Sequence, residues 1–488
     1  MNVRSAFLLA GIGLSLSALP GWGARPADVR PEVDPAAPLR HIVVLIPDFE
    51  ACALVDPAPP DGSRRERVVW GEGAAPVAGY AALHPANHLE PRPTLRLAGR
   101  DMGTGLVYAL THRQPGVPAF QPLMEDVNFF VFAYDWRQAI HEKLAPQLER
   151  ALRRMAATAA NQLGTQPDRI RFVLVAHGAG GLIARTFIST QPRLADRVEH
   201  LYLVATPNLG SAHALRSLLG GTGRAAGLEA TDGADGAVPG WGGLYGQLGE
   251  ADAAVPGTRL IAASLPSLYQ LIPMRNPDWI RDTTNPDEPR LRVAGRDMLA
   301  LGTWADYWPG ADDETVFLLE NNLLAHRDRT AEAAPERWLL FQDVTLTHLQ
   351  RLLAATRDWR LAMGTVGYTA QLLQRAGEAP RLTLVTPRGV RTPTGLISEG
   401  TGGEVRTRFL YGPFADGDGL VTLESMVEDI RDPSRILVLE KTTHDQAISH
   451  PRFLARLLRE VAGLQRLESA ADQQMAQVLP LEGPATTP

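Results

Sequence analysis

The stretch Phe172-Val173-Leu174-Val175-Ala176-His177-Gly178-Ala179-Gly180-Gly181-Leu182-Ile183-Ala184-Arg185 reads as a strand, a sharp turn and the start of a helix. A continuous apolar run of this kind fits a strand buried on both faces of a parallel sheet. The small residues after it suit a tight turn into a helix. This is the context of a G-x-S-x-G nucleophile elbow, in which a serine occupies the tip of the turn. Position 178, where that serine would stand, is glycine.

Outward from the turn, strand and helix patterns alternate. His41 to Ile46 is a continuous apolar run ended by Pro47, and Phe129 to Tyr134 is another, ended by Asp135-Trp136-Arg137. Ile140 to Leu163 has helical spacing, with Leu144, Leu148, Leu152 and Met155 on one face. Val198 to Ala205 is a further strand, ended by Thr206-Pro207. The alternation predicts βαβ units: an α/β fold with a mostly parallel central sheet and helices on both faces.

Residues 216–378 read as a lid or cap insertion between two halves of a core, 40–215 and 379–467. Within it, Gly220 to Gly257 is rich in Gly, Ala and Asp and lacks a clear period, as in a lid over the site or a surface loop. The strongest helical signal there is Thr345 to Leu361. Strand patterns return at Arg381 to Val385, Thr407 to Tyr411 and Ile436 to Leu439, and a last helix is expected over Pro451 to Leu467. Residues 468–488 read as a disordered tail.

Composition narrows the partners. The chain has 488 residues, 45% hydrophobic and 21% charged, with a net charge of −6. That is ordinary for a globular protein and gives no electrostatic footprint for nucleic acid. Residues 1–24 carry Arg4, a short apolar run and small residues, the pattern of a signal peptide; 25–39 read as a linker. Export to the periplasm or medium is the expectation. The apolar run is shorter than the about 20 residues a membrane span needs. The single cysteine, Cys52, excludes an intrachain disulfide and reads as a small apolar residue in a turn.

Two later segments supply candidate partners for the turn at 178. Asp418 lies in the glycine turn Gly417-Asp418-Gly419, and His444 follows the strand Ile436 to Leu439. Their order after the elbow is that of a nucleophile, acid, histidine triad, with Asp418 orienting His444 as general base. Taken alone, Gly417-Asp418-Gly419 is also an ordinary surface turn, and His450 competes with His444. Asp416 and Asp418 do not make a calcium loop, because Leu420 and Val421 stand where an acid and a glycine are needed. No metal ligand and no cofactor is expected, and no glycine is followed by the Gly-Lys-Ser/Thr of a phosphate loop.

In scattered blocks over about residues 40 to 460 the chain resembles the lecithin:cholesterol acyltransferase family of α/β-hydrolases. The blocks are Val44-Leu45-Ile46-Pro47, Tyr134-Asp135-Trp136-Arg137, the elbow at 176–180, Ala205 to Ser211, Ser264 to Pro273, Gly417 to Val421, and His444. The resemblance implies an α/β-hydrolase fold with a cap or lid insertion, and acyl transfer from a lipid to an alcohol or water through an acyl-serine. It implies catalytic positions Gly178, Asp418 and His444, and an oxyanion loop of Asp48 and Phe49 working with the Ala179 N–H. Two positions depart from the family. Gly178 replaces the serine, and without an oxygen nucleophile no acyl-enzyme forms there. Asp48 replaces a glycine and brings a carboxylate to a loop that should stabilise negative charge. Ser189 and Thr190, about three helical turns further on, are too far to substitute.

Three functional readings follow. The first is a nucleophile-deficient protein that binds a lipid or acyl ester, or a protein partner. The second is an esterase or acyltransferase using water activated by His444 and Asp418. The third is a structural interaction protein. Tyr134-Asp135-Trp136-Arg137 reads as packing plus an ion pair.

Overall fold

In the computed structural model the described residues are 37–57, 66–71, 83, 85–97, 100–219, 262–273, 280–282, 290–291, 299–301, 346–374, 381–399, 408–411 and 414–478. The expected signal peptide, the Gly220 to Gly257 segment and the end of the tail after Val478 lie outside them.

A six-stranded sheet organises the chain. Its strands are β1 (Arg40–Ile46), β2 (Phe129–Val131), β3 (Ile170–His177), β4 (Val198–Val204), β5 (Leu382–Arg388) and β6 (Ile436–Glu440). They lie in the order β6-β5-β4-β3-β1-β2, and every neighbouring pair is parallel. Alternation along each strand divides two cores. Ile42, Val44, Ile46, Phe172, Leu174 and Leu201 face one, whereas Val43, Leu45, Val173, Val175, Tyr202 and Val204 face the other. Apolar residues on both sides of one strand explain the continuous runs in the sequence.

Helices cover both faces. On the first lie α1 (Ala145–Leu163) and α2 (Ala179–Thr190), with α3 (Leu346–Met363) and α4 (Val366–Leu373), which pack into the same core. Leu148, Leu152, Ala156 and Ala159 form the buried stripe of α1, and Gly164 closes it in the left-handed conformation. Ile140–Leu144, read as its first turns, are wound as a π-helix. On the second face, α5 (Pro451–Val478) buries Phe453, Leu457 and Val461.

Two expectations are corrected. Residues 468–478 belong to α5 rather than to a disordered tail: Glu468 accepts from the backbone N–H of His41 at 2.7 Å, and Asp472 pairs with Arg40 at 2.8 Å. Cys52 lies in a short strand, Cys52–Asp56, not in a turn; that strand pairs antiparallel with Arg67–Trp70 and Glu90–Pro93. The strand Arg408–Tyr411 pairs antiparallel with Leu396–Glu399, outside the central sheet. Among the described residues no helix is long and apolar enough to cross a membrane.

Candidate active site

In register, Ile46 pairs with Ala176 and His177 with Val204, so β1, β3 and β4 end side by side. The loops that leave their carboxyl ends, with those after β5 and β6, meet there, the usual ligand-binding end of a parallel sheet.

At the end of β3 the chain turns through Gly178 with φ 51° and ψ −123°, and α2 begins at Ala179. Glycine adopts this backbone freely, whereas other residues are strained in it. A Cβ at Gly180 would strike the carbonyl oxygens of Ile46 and Pro47, so the helix can lie this close to β1 only with glycine there.

The carboxylate of Asp48 fills the space in front of Gly178. Its Oδ1 accepts the Ala179 N–H at 2.7 Å, the donor expected to serve an oxyanion. Its Oδ2 lies 2.9 Å from His444 Nε2. On the far side of the ring, His444 Nδ1 lies 2.7 Å from Asp418 Oδ2. Asp418 is fixed in turn: its Oδ1 accepts the N–H groups of Leu420 and Val421 at 2.8 and 2.7 Å, and its carbonyl accepts the His444 N–H at 3.1 Å. The structure thus brings together Gly178, Asp418, His444, Asp48 and Ala179. His450 stays out, bonding instead to the Arg452 N–H. Asp416 is exposed and accepts the Gly389 N–H, so Asp416 and Asp418 serve different partners.

The charges follow from this geometry. Burial works against a charged imidazole, yet the carboxylates of Asp418 and Asp48 outweigh it and hold His444 up to about 10. Burial likewise pushes Asp48 up, but the charge and hydrogen bond of His444, with the Ala179 N–H, bring it down to about 2. Both ring nitrogens of His444 face carboxylate side chains, an arrangement that favours the doubly protonated imidazolium. Such a ring has no lone pair with which to act as a base.

Three aromatic side chains aim the Asp48 loop. Tyr134 donates to the Pro47 carbonyl at 2.9 Å, Trp70 to Glu50 at 3.1 Å and Trp136 to Cys52 at 3.2 Å. Between these anchors Glu50 has φ 66°, a strained value for a residue with a side chain. Arg137, fully buried, makes two 2.8 Å hydrogen bonds to Asp135. The Tyr134 to Arg137 block is packing and an ion pair, as read, and it also positions the loop. Phe49 stacks edge-on against Trp136 and lines a narrow cleft in front of Asp48. Pro207, Ala214, Leu271, Leu420 and Val421 give the cleft apolar walls. Ser211 also lines it, with its hydroxyl donated to the Leu420 carbonyl. Ser189 and Thr190 donate to the Thr186 carbonyl inside their own helix.

Sequence reading missed His177. Its ring stacks on His444 with centroids 4.9 Å apart, and its Nε2 donates to the His444 carbonyl at 3.1 Å. Burial brings it down to about 4, against the pull of Asp48, so it is neutral. In sequence it is merely the last residue of a strand. Asp48, His177 and His444 are also buried side chains whose ligand-type atoms lie within 4.8 Å of one another, although no metal ligand was expected.

No family model matches the sequence, and no curated protein matches it. In structure the chain is similar to one solved as "The crystal structure of Tle4-Tli4 complex", with a TM-score of 0.53 and 13% identity. The match covers 88% of this chain and 99% of that one. Identity this low carries likeness of fold alone. With the parallel sheet and the strand–turn–helix elbow at its carboxyl end, the chain has an α/β-hydrolase fold.

Proposed function

We propose that this chain is a lipase-like or lecithin:cholesterol acyltransferase-like protein that does not carry out acyl-serine chemistry and instead binds a lipid, an acyl ester or a protein partner. One observation carries the reading: the Asp48 carboxylate occupies the place of a nucleophile side chain and takes both the Ala179 N–H and His444 Nε2. An ester entering the cleft meets no oxygen nucleophile at 178, an occupied oxyanion donor and a negative charge where negative charge would develop. The alternative of water activated by His444 and Asp418 needs a neutral imidazole. The two carboxylates flanking His444 oppose that. The apolar cleft walls favour an apolar ligand. The similar structure was solved in a complex, which makes a protein partner a reasonable second proposal. The signal-peptide pattern of residues 1–24 supports export.

The test is turnover of a short-chain p-nitrophenyl ester and of a phospholipid. It compares the native chain, Gly178→Ser, and Gly178→Ser combined with Asp48→Gly. The native chain and the single variant are expected to be silent, and the double variant active. Native turnover that disappears in His444→Ala would overturn the reading.

A further inference from the structure

We propose that Asp48, His177 and His444 form a binding site for a divalent transition-metal ion, with zinc the ion their chemistry suits best. All three are buried, at 5%, 0% and 4% exposure, and one ligand-type atom of each lies within 4.8 Å of the others. Proximity alone is a weak argument. The hydrogen bonds around the three residues make it specific.

His177 gives its Nε2 proton to the His444 carbonyl, which leaves the lone pair on Nδ1. That Nδ1 is buried and has no hydrogen-bond partner among the described residues. A buried nitrogen lone pair with nothing to accept calls for an explanation, and a bound cation supplies one. His444 has the complementary arrangement. Its Nδ1 faces Asp418, whose other oxygen is held by two backbone N–H groups, so Nε2 is directed toward Asp48. A histidine whose far nitrogen donates to a carboxylate or a backbone carbonyl is the usual oriented metal ligand, and both rings here meet that description. Asp48 is oriented in the same way, with Oδ1 on the Ala179 N–H and Oδ2 turned toward His444.

Two nitrogens and one carboxylate oxygen select among ions. Calcium and magnesium prefer oxygen donors, whereas imidazole with carboxylate suits zinc and its transition-metal neighbours. Three protein ligands leave the fourth position of a tetrahedral ion toward the cleft. Bonds of about 2.0–2.1 Å place tetrahedral donors about 3.3 Å apart. The 2.9 Å pair of His444 and Asp48 therefore opens slightly, and the His177 ring closes in. The ion replaces the proton shared by Asp48 and His444, so binding releases that proton to solvent.

The proposal rests on the same Asp48 placement as the function proposed above, but its readout is metal binding and not turnover, so the two fail independently. Metal-free protein is titrated with Zn²⁺ by calorimetry in buffers of different ionisation enthalpy, and with Co²⁺ by visible absorption. The expected result is one ion per chain, about one proton released, and a low-coordinate cobalt spectrum. Affinity is expected to fall at least ~10–100-fold in His177→Ala and in Asp48→Asn, and to be unchanged in His450→Ala. If His177→Ala does not fold, Asp48→Asn, which keeps the side-chain shape, decides alone. Absence of binding would overturn the proposal. Equal affinity in the variants would also overturn it, by locating the ion at a surface histidine, as would Ca²⁺ binding as tightly as Zn²⁺.

Discussion

A Cβ at position 178 would overlap Oδ1 of Asp48, so a side chain at 178 and the inward carboxylate of Asp48 exclude each other. Gly178→Ser alone is then an overpacked variant, expected to lose about 1–3 kcal/mol of stability. Asp48→Gly should relieve that loss. The double-mutant coupling measured by denaturant unfolding is expected within about 0.5–3 kcal/mol. Additive single effects would show that the two positions do not collide.

The stability of the metal-free protein should peak near pH 6.5, judged from the groups of this site. His444 is raised to about 10, so its contribution is complete below the unfolded value of about 6.5 and is lost as pH rises through the folded value. His177 is lowered to about 4, so the unfolded chain takes up a proton that the folded chain refuses, and stability falls between about 6.5 and 4. Asp48, lowered to about 2, adds a further loss below its ordinary 3.8. Denaturation midpoints at acid, near-neutral and alkaline pH check the shape. Asp48→Asn should flatten the alkaline arm, and an unchanged arm would refute the assignment.

Cys52 should be inert in the folded protein. Burial pushes its thiol up to about 12, and only the thiolate reacts. A thiol reagent is expected to label the chain only as it unfolds, at the global unfolding rate. Fast labelling under native conditions would contradict the strand placement.

Asn208, in the loop after β4, ties together α2 and α3. Its Oδ1 accepts from Arg185 at 2.8 Å, its Nδ2 donates to Met426 at 2.6 Å, and its carbonyl accepts from Arg360 of α3 at 2.5 Å. Arg185 also reaches the Gly364 carbonyl, between α3 and α4. Asn208→Ala leaves a buried guanidinium short of an acceptor, which costs about 1–3 kcal/mol. Thermal and denaturant unfolding should both register it, and a change under about 0.5 kcal/mol would mean the fastening lies elsewhere.

The sheet and the partners of the elbow were legible for a simple reason. Strands such as Ile42 to Ile46 are apolar on both faces, and Asp418 and His444 each follow a strand in the right order. Other features leave no such trace. Whether Asp48 points inward depends on anchors at Tyr134, Trp70 and Trp136, which are distant in sequence and converge only in the fold. The strand Glu90–Pro93 carries two prolines and too few apolar residues to show a period. The end of α5 is polar and largely exposed, so composition suggested a tail where ion pairs and a backbone contact to β1 hold a helix.

Those last contacts also bear on when the fold can be completed. His41 and Glu468 are 427 positions apart, and Arg40 and Asp472 are 432 apart, yet β1 lies inside the sheet and its pairing with β3 needs only residues up to His177. On a ribosome, β1 can find its sheet neighbours while the rest of the chain is still being made. The backbone N–H at its entry must wait for the last helix before it gains its carboxylate. Leu106, Leu110, Phe120 and Leu123 can cover part of the sheet's second face early, but the portion under Phe453, Leu457 and Val461 gains its cover only when α5 emerges.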